Sequence, residues 1–424
     1  MLGIFSLPRP VEFPADFLWG SATAGHQIEG NNLHSQNYRH ELEAHFAEPS
    51  GSACNSWELY EQDIELAAEL GQRAFRLSIE WSRIEPAEGR RDRQALQRYL
   101  KVLECLQAHQ IKVFLTLHHF SHPAWFEDLG EFRLRENVKY FERHVEFLVP
   151  QVAPFVSNWN IINEFNLPRG AGANERKANL LHAHARCAAI IRQYSGAPIG
   201  TAHALVHWAP EQEFDEFDVT QTRLIDWETN GFFFHAIRTG ELLLPYREAE
   251  QIPGLKDSCD YWALNYYTRH YLTARKPFEN APRHDCDHIR MIDRPFYLEE
   301  FYPDGLILEI DRLRDKPVII TENGLSCDDD RLRILYIARH LQALAEAIRR
   351  GARVDGYLYW SFLDNYEWSS FVPRFGLVDV DFKTFRRTPK PSAYFYRDII
   401  ARGGFDRELL LQYLPEFRDW KLYV

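Results

Sequence analysis

The chain has 424 residues, enough to bury a large core, and a formal net charge of -12, which disfavours a nucleic-acid partner because such partners demand concentrated Lys and Arg. No apolar stretch reaches the roughly 18 residues a membrane span needs. The six cysteines (Cys54, Cys105, Cys187, Cys259, Cys286 and Cys327) are scattered without a Cys-x-x-Cys pair, so neither a zinc site nor a disulfide framework is indicated and reduced thiols in a cytoplasmic protein are expected. Residues 1–14 show no basic-then-apolar leader pattern. Trp, Tyr and Phe make up 14% of the chain, a composition that suits stacking on the apolar faces of sugars as well as filling a large core.

Short apolar runs alternate with helical patterns along the whole sequence. The predicted strands are 17–22, 74–79, 112–117, 159–163, 199–203, 261–266, 318–322 and 356–362. Helical periodicity occupies 57–70, with Leu59, Ile64, Leu66, Ala67 and Leu70 on one side and Gly71 as its stop. Similar patterns fill 93–109, 137–149 and 331–350. Segments 30–56 and 275–303 read as long loops. Eight strand–helix alternations fit a closed (β/α)8 TIM barrel in one domain spanning 1–424. A doubly wound sheet is the rival, but no Gly-rich phosphate loop follows the first strand.

The chemistry-bearing residues fall at strand ends. Pro317-Val318-Ile319-Ile320 runs into Thr321-Glu322-Asn323-Gly324, where Asn-Gly signals a chain reversal. Trp159-Asn160-Ile161-Ile162 runs into Asn163-Glu164. Two carboxylates at the carboxyl ends of barrel strands suit glycoside cleavage, in which one carboxyl must hold a proton near neutral pH while the other stays ionised. Gln27 and Glu29 follow the first strand, Arg76 lies in the second, and His118 and His119 close the third. Asn265, Tyr266 and Tyr267 end the sixth, and Trp360, Asp364, Glu367 and Trp368 lie at or beyond the end of the eighth. Taken singly, Arg76 reads equally as a core ion pair and His118 as a core histidine. Their convergence on one rim suggests a site for hydroxyl groups, which both donate and accept hydrogen bonds. His118, His119 and His122 make a poor metal set, since adjacent strand positions face opposite ways. Asp328-Asp329-Asp330 reads as a solvated loop or a helix-start cluster rather than a cation site. No metal and no cofactor are expected, and nothing in the sequence speaks to oligomeric state.

At this point the chain resembles glycoside hydrolase family 1, the β-glucosidase family, from about residue 13 to residue 396. The resemblance rests on Phe13-Pro14-Ala15-Asp16-Phe17-Leu18-Trp19-Gly20, Gln27-Ile28-Glu29-Gly30, Phe75-Arg76-Leu77-Ser78 with Trp81-Ser82-Arg83, Asn163-Glu164, Asn265-Tyr266-Tyr267, Thr321-Glu322-Asn323-Gly324, Trp360-Ser361-Phe362-Leu363-Asp364-Asn365-Tyr366-Glu367-Trp368 and Arg374-Phe375-Gly376-Leu377, in that order. It implies a barrel that hydrolyses β-glycosides with retention of configuration and without a cofactor, acting on a small-molecule or oligosaccharide β-glycoside such as a β-D-glucoside, β-galactoside or β-fucoside. By the same resemblance Glu164 would be the acid/base and Glu322 the nucleophile. Gln27, His119, Asn163, Glu367 and Trp368 would bind the sugar over a Trp360 platform, and Arg76, Asn265 and Tyr267 would support the carboxyl groups. The chain departs from the family pattern at Phe120, usually Trp, and at Phe165, usually Pro. Segment 30–56 and the stretch between Trp368 and Arg374 are shorter than usual, both on the leaving-group side. A 6-phospho-β-glycosidase, a transglycosylase and a non-hydrolytic sugar-binding barrel are the rival readings.

Overall fold

The computed structural model describes residues 7, 9–43, 45, 48–167, 171–274 and 300–417. Eight parallel strands close into a barrel: β1 Leu18–Ala22, β2 Ala74–Ser78, β3 Lys112–His118, β4 Val156–Asn163, β5 Ile199–Pro210, β6 Trp262–Leu272, β7 Val318–Glu322 and β8 Val354–Trp360. Each strand pairs with its neighbours in sequence, and β8 pairs β1 to close the ring. The expected (β/α)8 barrel is therefore the observed fold. Two hydrophobic layers hold it. Inside the ring, small side chains (Ala22, Ala74, Ala202, Ala263) alternate with Phe114, Ile319 and Leu358 to fill a narrow cylinder. Outside it, strand residues such as Leu77, Leu115 and Ile161 pack on the apolar stripes of the helices.

Helices Ser56–Glu69, Arg93–Ala108, Val138–Val152 and Asp330–Arg349 lie where the 3.6-residue period puts them. Asp92 and Asp329 cap two of them by accepting N–H bonds from the first turn, so the Asp328-Asp329-Asp330 cluster is a helix start, as read. Helices Ala171–Tyr194, Glu216–Asp226, Phe232–Thr239, Asp304–Asp311 and Pro391–Arg402 are additional. Segment 30–56, expected to be loop, contains the short helix Gln36–Leu42. Ser35 starts it by accepting from the Tyr38 N–H, and the buried Glu41 ties it down. In the second expected loop, 275–299 and with it Cys286 lie outside the described residues. β5 and β6 run well past their expected ends because His207, Trp208, Ala209 and Pro210 continue to pair with Arg269, His270, Tyr271 and Leu272 beyond the barrel wall. That extension of β5 is only half-buried, which removes the apolar run on which the shorter expectation rested.

Gly324 has a different purpose from a turn residue. A Cβ there would sit 1.7 Å from the Trp360 carbonyl oxygen, so only glycine lets the end of β7 pass the end of β8. The close passage is sealed by Trp360 N–H donating to Asn323 O at 3.0 Å.

Candidate active site

The carboxyl ends of the strands converge on two buried glutamates. Glu322 is the last residue of β7, and Asn265 of β6 stands beside it in register. Its Oε1 pairs with Arg76 Nη1, and its Oε2 accepts the Tyr267 hydroxyl at 2.8 Å. Arg76 is fully buried in β2, and three neighbours orient it: its Nε donates to Thr116 Oγ1 at 3.1 Å, its Nη1 also donates to Thr321 O at 3.3 Å, and its Nη2 donates to Asn163 Oδ1.

Glu164 follows β4 with φ +47°, a left-handed backbone that a glutamate rarely adopts. Its Oε1 accepts from Asn265 Nδ2 at 2.9 Å. The same amide donates to Asn163 Oδ1 at 3.1 Å, while Asn265 Oδ1 accepts the Thr321 hydroxyl at 2.6 Å. Asn265 thus stands beside Glu322 in register while its amide bonds to Glu164. Among the described residues no cation forms an ion pair with Glu164. Burial, reinforced by the Glu322 charge, pushes its pKa up to about 8. Burial raises Glu322 as well, but there the Arg76 charge and the Tyr267 hydrogen bond pull the other way. Of the pair, Glu322 is the one whose rise is opposed by a bonded cation and a hydroxyl donor. This arrangement can donate a proton from one side and present a carboxylate from the other.

Around the pair lie polar groups suited to hydroxyls. Gln27 Nε2 donates to Glu367 Oε2 at 3.1 Å and to Asn365 Oδ1 at 3.0 Å, while its buried Oε1 has no hydrogen-bond partner among the described residues. Asn163 Nδ2 and His119 Nε2 lie 3.1 Å apart. Trp360 and Trp368 flank His119, with ring centroids at 6.0 and 5.8 Å. Burial holds His119 well below its usual pKa, so it is neutral. Phe120 meets Trp368 edge-on at 5.1 Å. Phe120 and Trp368 share the left-handed backbone of Glu164, with φ +59° and +52°. Strain of this kind persists where the surroundings over-determine it.

The structure thus brings together Gln27, Arg76, His119, Asn163, Glu164, Asn265, Tyr267, Glu322, Trp360, Glu367 and Trp368. It turns other rim residues away. His118 packs on Phe132 and Phe141, and Tyr266 donates to Tyr302 O. Glu29 is buried against Arg83 and Tyr99, with burial lifting its pKa to about 7. Asp364 pairs with Lys390. His122 pairs with Glu127 at 2.9 Å.

Several supporting residues had no sequence signal. His26 stacks on Trp368 with planes 7° apart. Its Nδ1 faces the Asn32 amide at 3.3 Å, which makes Nε2 the N–H donor to the buried Glu41 at 3.0 Å. Glu41 also accepts the Ser50 N–H and hydroxyl. Glu48 accepts the Ser370 hydroxyl at 2.9 Å and the Phe371 N–H at 2.8 Å, closing the loop after Trp368. His40, Glu43 and His45 have ligand atoms within 4.8 Å of one another, but they sit near the surface and no second feature points to an ion.

The family model described as "Glycosyl hydrolase family 1" matches residues 10–405. The chain belongs to this family. A β-glycosidase structure from Pyrococcus horikoshii is 34% identical with a TM-score of 0.85, covering 96% of this chain and 98% of that one. A family 1 β-glucosidase structure from Thermotoga maritima is 27% identical with a TM-score of 0.84, covering 94% and 100%. By sequence, β-glucosidase A of Thermotoga maritima is 28% identical over 446 residues, covering 93% of this chain and 99% of the relative. A 6-phospho-β-galactosidase of Streptococcus mutans is 29% identical over 460 residues, covering 91% and 97%. Whole-chain similarity therefore leaves this family 1 β-glycosidase equally close to enzymes named for free and for phosphorylated sugars. Among the described residues no helix is long and apolar enough to cross a membrane, and all five cysteines described are free.

Proposed function

We propose that the protein is a retaining β-glucosidase that removes non-reducing terminal β-D-glucose, and accepts β-galactosides and β-fucosides, with Glu322 as nucleophile and Glu164 as acid/base. The observation that carries this reading is the asymmetry of the pair. Arg76 and Tyr267 lie on Glu322 alone, and a carboxylate paired with a cation and a hydroxyl donor is the one that stays ionised to attack the anomeric carbon. Glu164, protonated by its dry surroundings, then delivers its proton to the leaving oxygen and takes one from water in the second step. Gln27, Asn163, His119, Glu367 and Trp368 would hold the sugar hydroxyls, with Trp360 beneath its apolar face.

Free sugars are favoured over 6-phosphates because carboxylates guard the region a phosphate would need. Glu367 faces Gln27, and Glu48 already occupies the Ser370 hydroxyl and Phe371 N–H. A phosphate there would meet two negative charges. The test is labelling with a 2-deoxy-2-fluoro-β-glucoside carrying a good leaving group. A stable adduct on Glu322 is expected by peptide mass spectrometry. An adduct elsewhere, or none in an active preparation, would overturn the assignment.

A further inference from the structure

The proton-donating role proposed for Glu164 raises a structural question: what holds a glutamate in a left-handed turn at φ +47°? The turn's own backbone supplies little. Glu164 N–H donates to Ala202 O at 2.8 Å, and Leu167 N–H donates back to Glu164 O at 3.3 Å. Two side chains then fix it from below. Phe165 is buried against Phe232 and Phe233, at ring distances of 6.0 and 5.5 Å. Asn166, 1% exposed, uses its amide mostly on main chain, with Nδ2 also 3.2 Å from His203 Nε2. Its Oδ1 accepts from Ala204 N–H at 3.1 Å, and its Nδ2 donates to Ala204 O at 2.8 Å and to Thr229 O at 2.9 Å. Flipping the amide would set oxygen against both carbonyls, so the orientation is unique.

The Thr229 carbonyl is available because of a local irregularity. Trp227–Gly231 is a single π-helical turn between helices Glu216–Asp226 and Phe232–Thr239, in which Phe232 N–H reaches back five residues to Trp227 O. Such a turn displaces carbonyls from the ordinary helical ladder. Two of them bond to side chains from the barrel side: Thr229 O accepts Asn166, and Glu228 O accepts Lys177 Nζ at 3.1 Å. The turn is itself pinned to the β5 extension, through Asn230 Nδ2 donating to Val206 O at 2.9 Å and Trp208 Nε1 donating to Thr229 Oγ1 at 2.8 Å. The turn that Asn166 grips is therefore itself tied to β5 by two side-chain hydrogen bonds.

We infer that Asn166 is a positioning residue for the reaction: by clamping the 163–167 turn to Ala204 of β5 and to the π-helical turn at 227–231, it fixes where Glu164 presents its proton. Asn166 touches no reacting atom, and its effect reaches the substrate only through Glu164. The inference rests on the proposed role of Glu164.

The experiment compares Asn166→Ala, Asn166→Ser and Glu164→Ala with the unaltered enzyme. It measures kcat/KM on two β-glucosides, one with a 2,4-dinitrophenyl leaving group and one with unsubstituted phenol. The first departs without a proton and the second needs one. The ratio of the two rates within one preparation is independent of how much of the protein is folded. Glu164→Ala should favour the activated substrate strongly, and both Asn166 variants should do so by about tenfold or more, the scale expected of a misplaced catalytic group. If Glu164→Ala discriminates while both Asn166 variants lose equally on the two substrates or lose nothing, the clamp is refuted and the role of Glu164 stands. If Glu164→Ala itself fails to discriminate, the role of Glu164 falls and the clamp with it.

Discussion

The ends of β4 and β7 carry the same side chain beside an asparagine, yet they give it opposite surroundings. At β7 the glutamate is the final residue of a regular strand and meets a buried guanidinium and a phenol. At β4 the glutamate lies one residue past the strand, in a left-handed turn, with one amide as its hydrogen-bond partner. The difference in surroundings therefore comes from what the neighbouring strands deliver: Arg76 from β2 and Tyr267 from β6 bond directly to Glu322 and not to Glu164. On the proposed reading, two identical groups would be given different work by their positions around the ring.

If that asymmetry is real, each end should fail in its own way. Glu322→Ala should lose about ten-thousandfold or more in kcat/KM on every substrate, activated or not, because no leaving group rescues a missing nucleophile. A steady-state comparison across leaving groups checks this, and a substrate-dependent loss would assign the proton-donor role to Glu322 instead.

Charge around the sugar site should show next. Free β-glucosides should exceed their 6-phosphates by roughly a thousandfold in kcat/KM, about 4 kcal/mol, because a phosphate would face Glu367 and Glu48. Comparable rates on nitrophenyl glucoside and its 6-phosphate would point to a phosphoglycosidase.

Tyr267→Phe removes one donor from Glu322 and leaves Glu164 untouched. Losing a hydrogen bond to a charged group should cost about tenfold to a hundredfold in kcat/KM. The missing donor also raises the Glu322 pKa, so the acid limb of the pH–rate profile should move to higher pH. The alkaline limb, set by Glu164 near pH 8, should stay in place.

The smallest expected effect is on stability. Glu164 has an ordinary pKa of 4.5 and a folded value of about 8. Between those values it is protonated when folded and ionised when unfolded, so its presence costs the fold progressively more as pH rises. Glu164→Gln should therefore unfold at a higher temperature than the unaltered enzyme, by about 2 °C or more at pH 8 and by little at pH 4.5. Calorimetry at the two pH values checks the sign, and a gap that narrows as pH rises would contradict the raised pKa.

Much of this architecture is legible in the residues. Val318-Ile319-Ile320 before Glu322 and Trp159 through Ile162 before Glu164 mark buried strands whose ends carry chemistry, because a strand covered on both faces must be apolar until it leaves the wall. The helices that read poorly have identifiable reasons. Ala171–Tyr194 is rich in Ala, His and Asn, so its inward face lacks a continuous stripe of large apolar residues. Phe232–Thr239 is only eight residues long, and its opening Phe232-Phe233-Phe234 run is too short to tell a helix from a strand. The supports of the site are harder still to read. Asn166 bonds to residues 38 and 63 positions away, and His26 reaches Trp368 across most of the chain. No local pattern encodes partners that only barrel closure brings together. Gly324 shows the opposite case, in which the residue was read correctly as special but for the wrong reason: steric room beside Trp360 is what it supplies.

The division of labour between the two strand ends is tested most directly by chemical rescue of Glu164→Ala with azide on an activated β-glucoside. With Glu322 intact and the acid/base carboxyl gone, the covalent intermediate should form on one face of the sugar and azide should attack through the space Glu164 vacated. The predicted result is restored turnover with β-glucosyl azide as the product. An α-glucosyl azide would mean that the space Glu164 vacated lies on the nucleophile's face of the sugar, which would reverse the two roles and contradict the account.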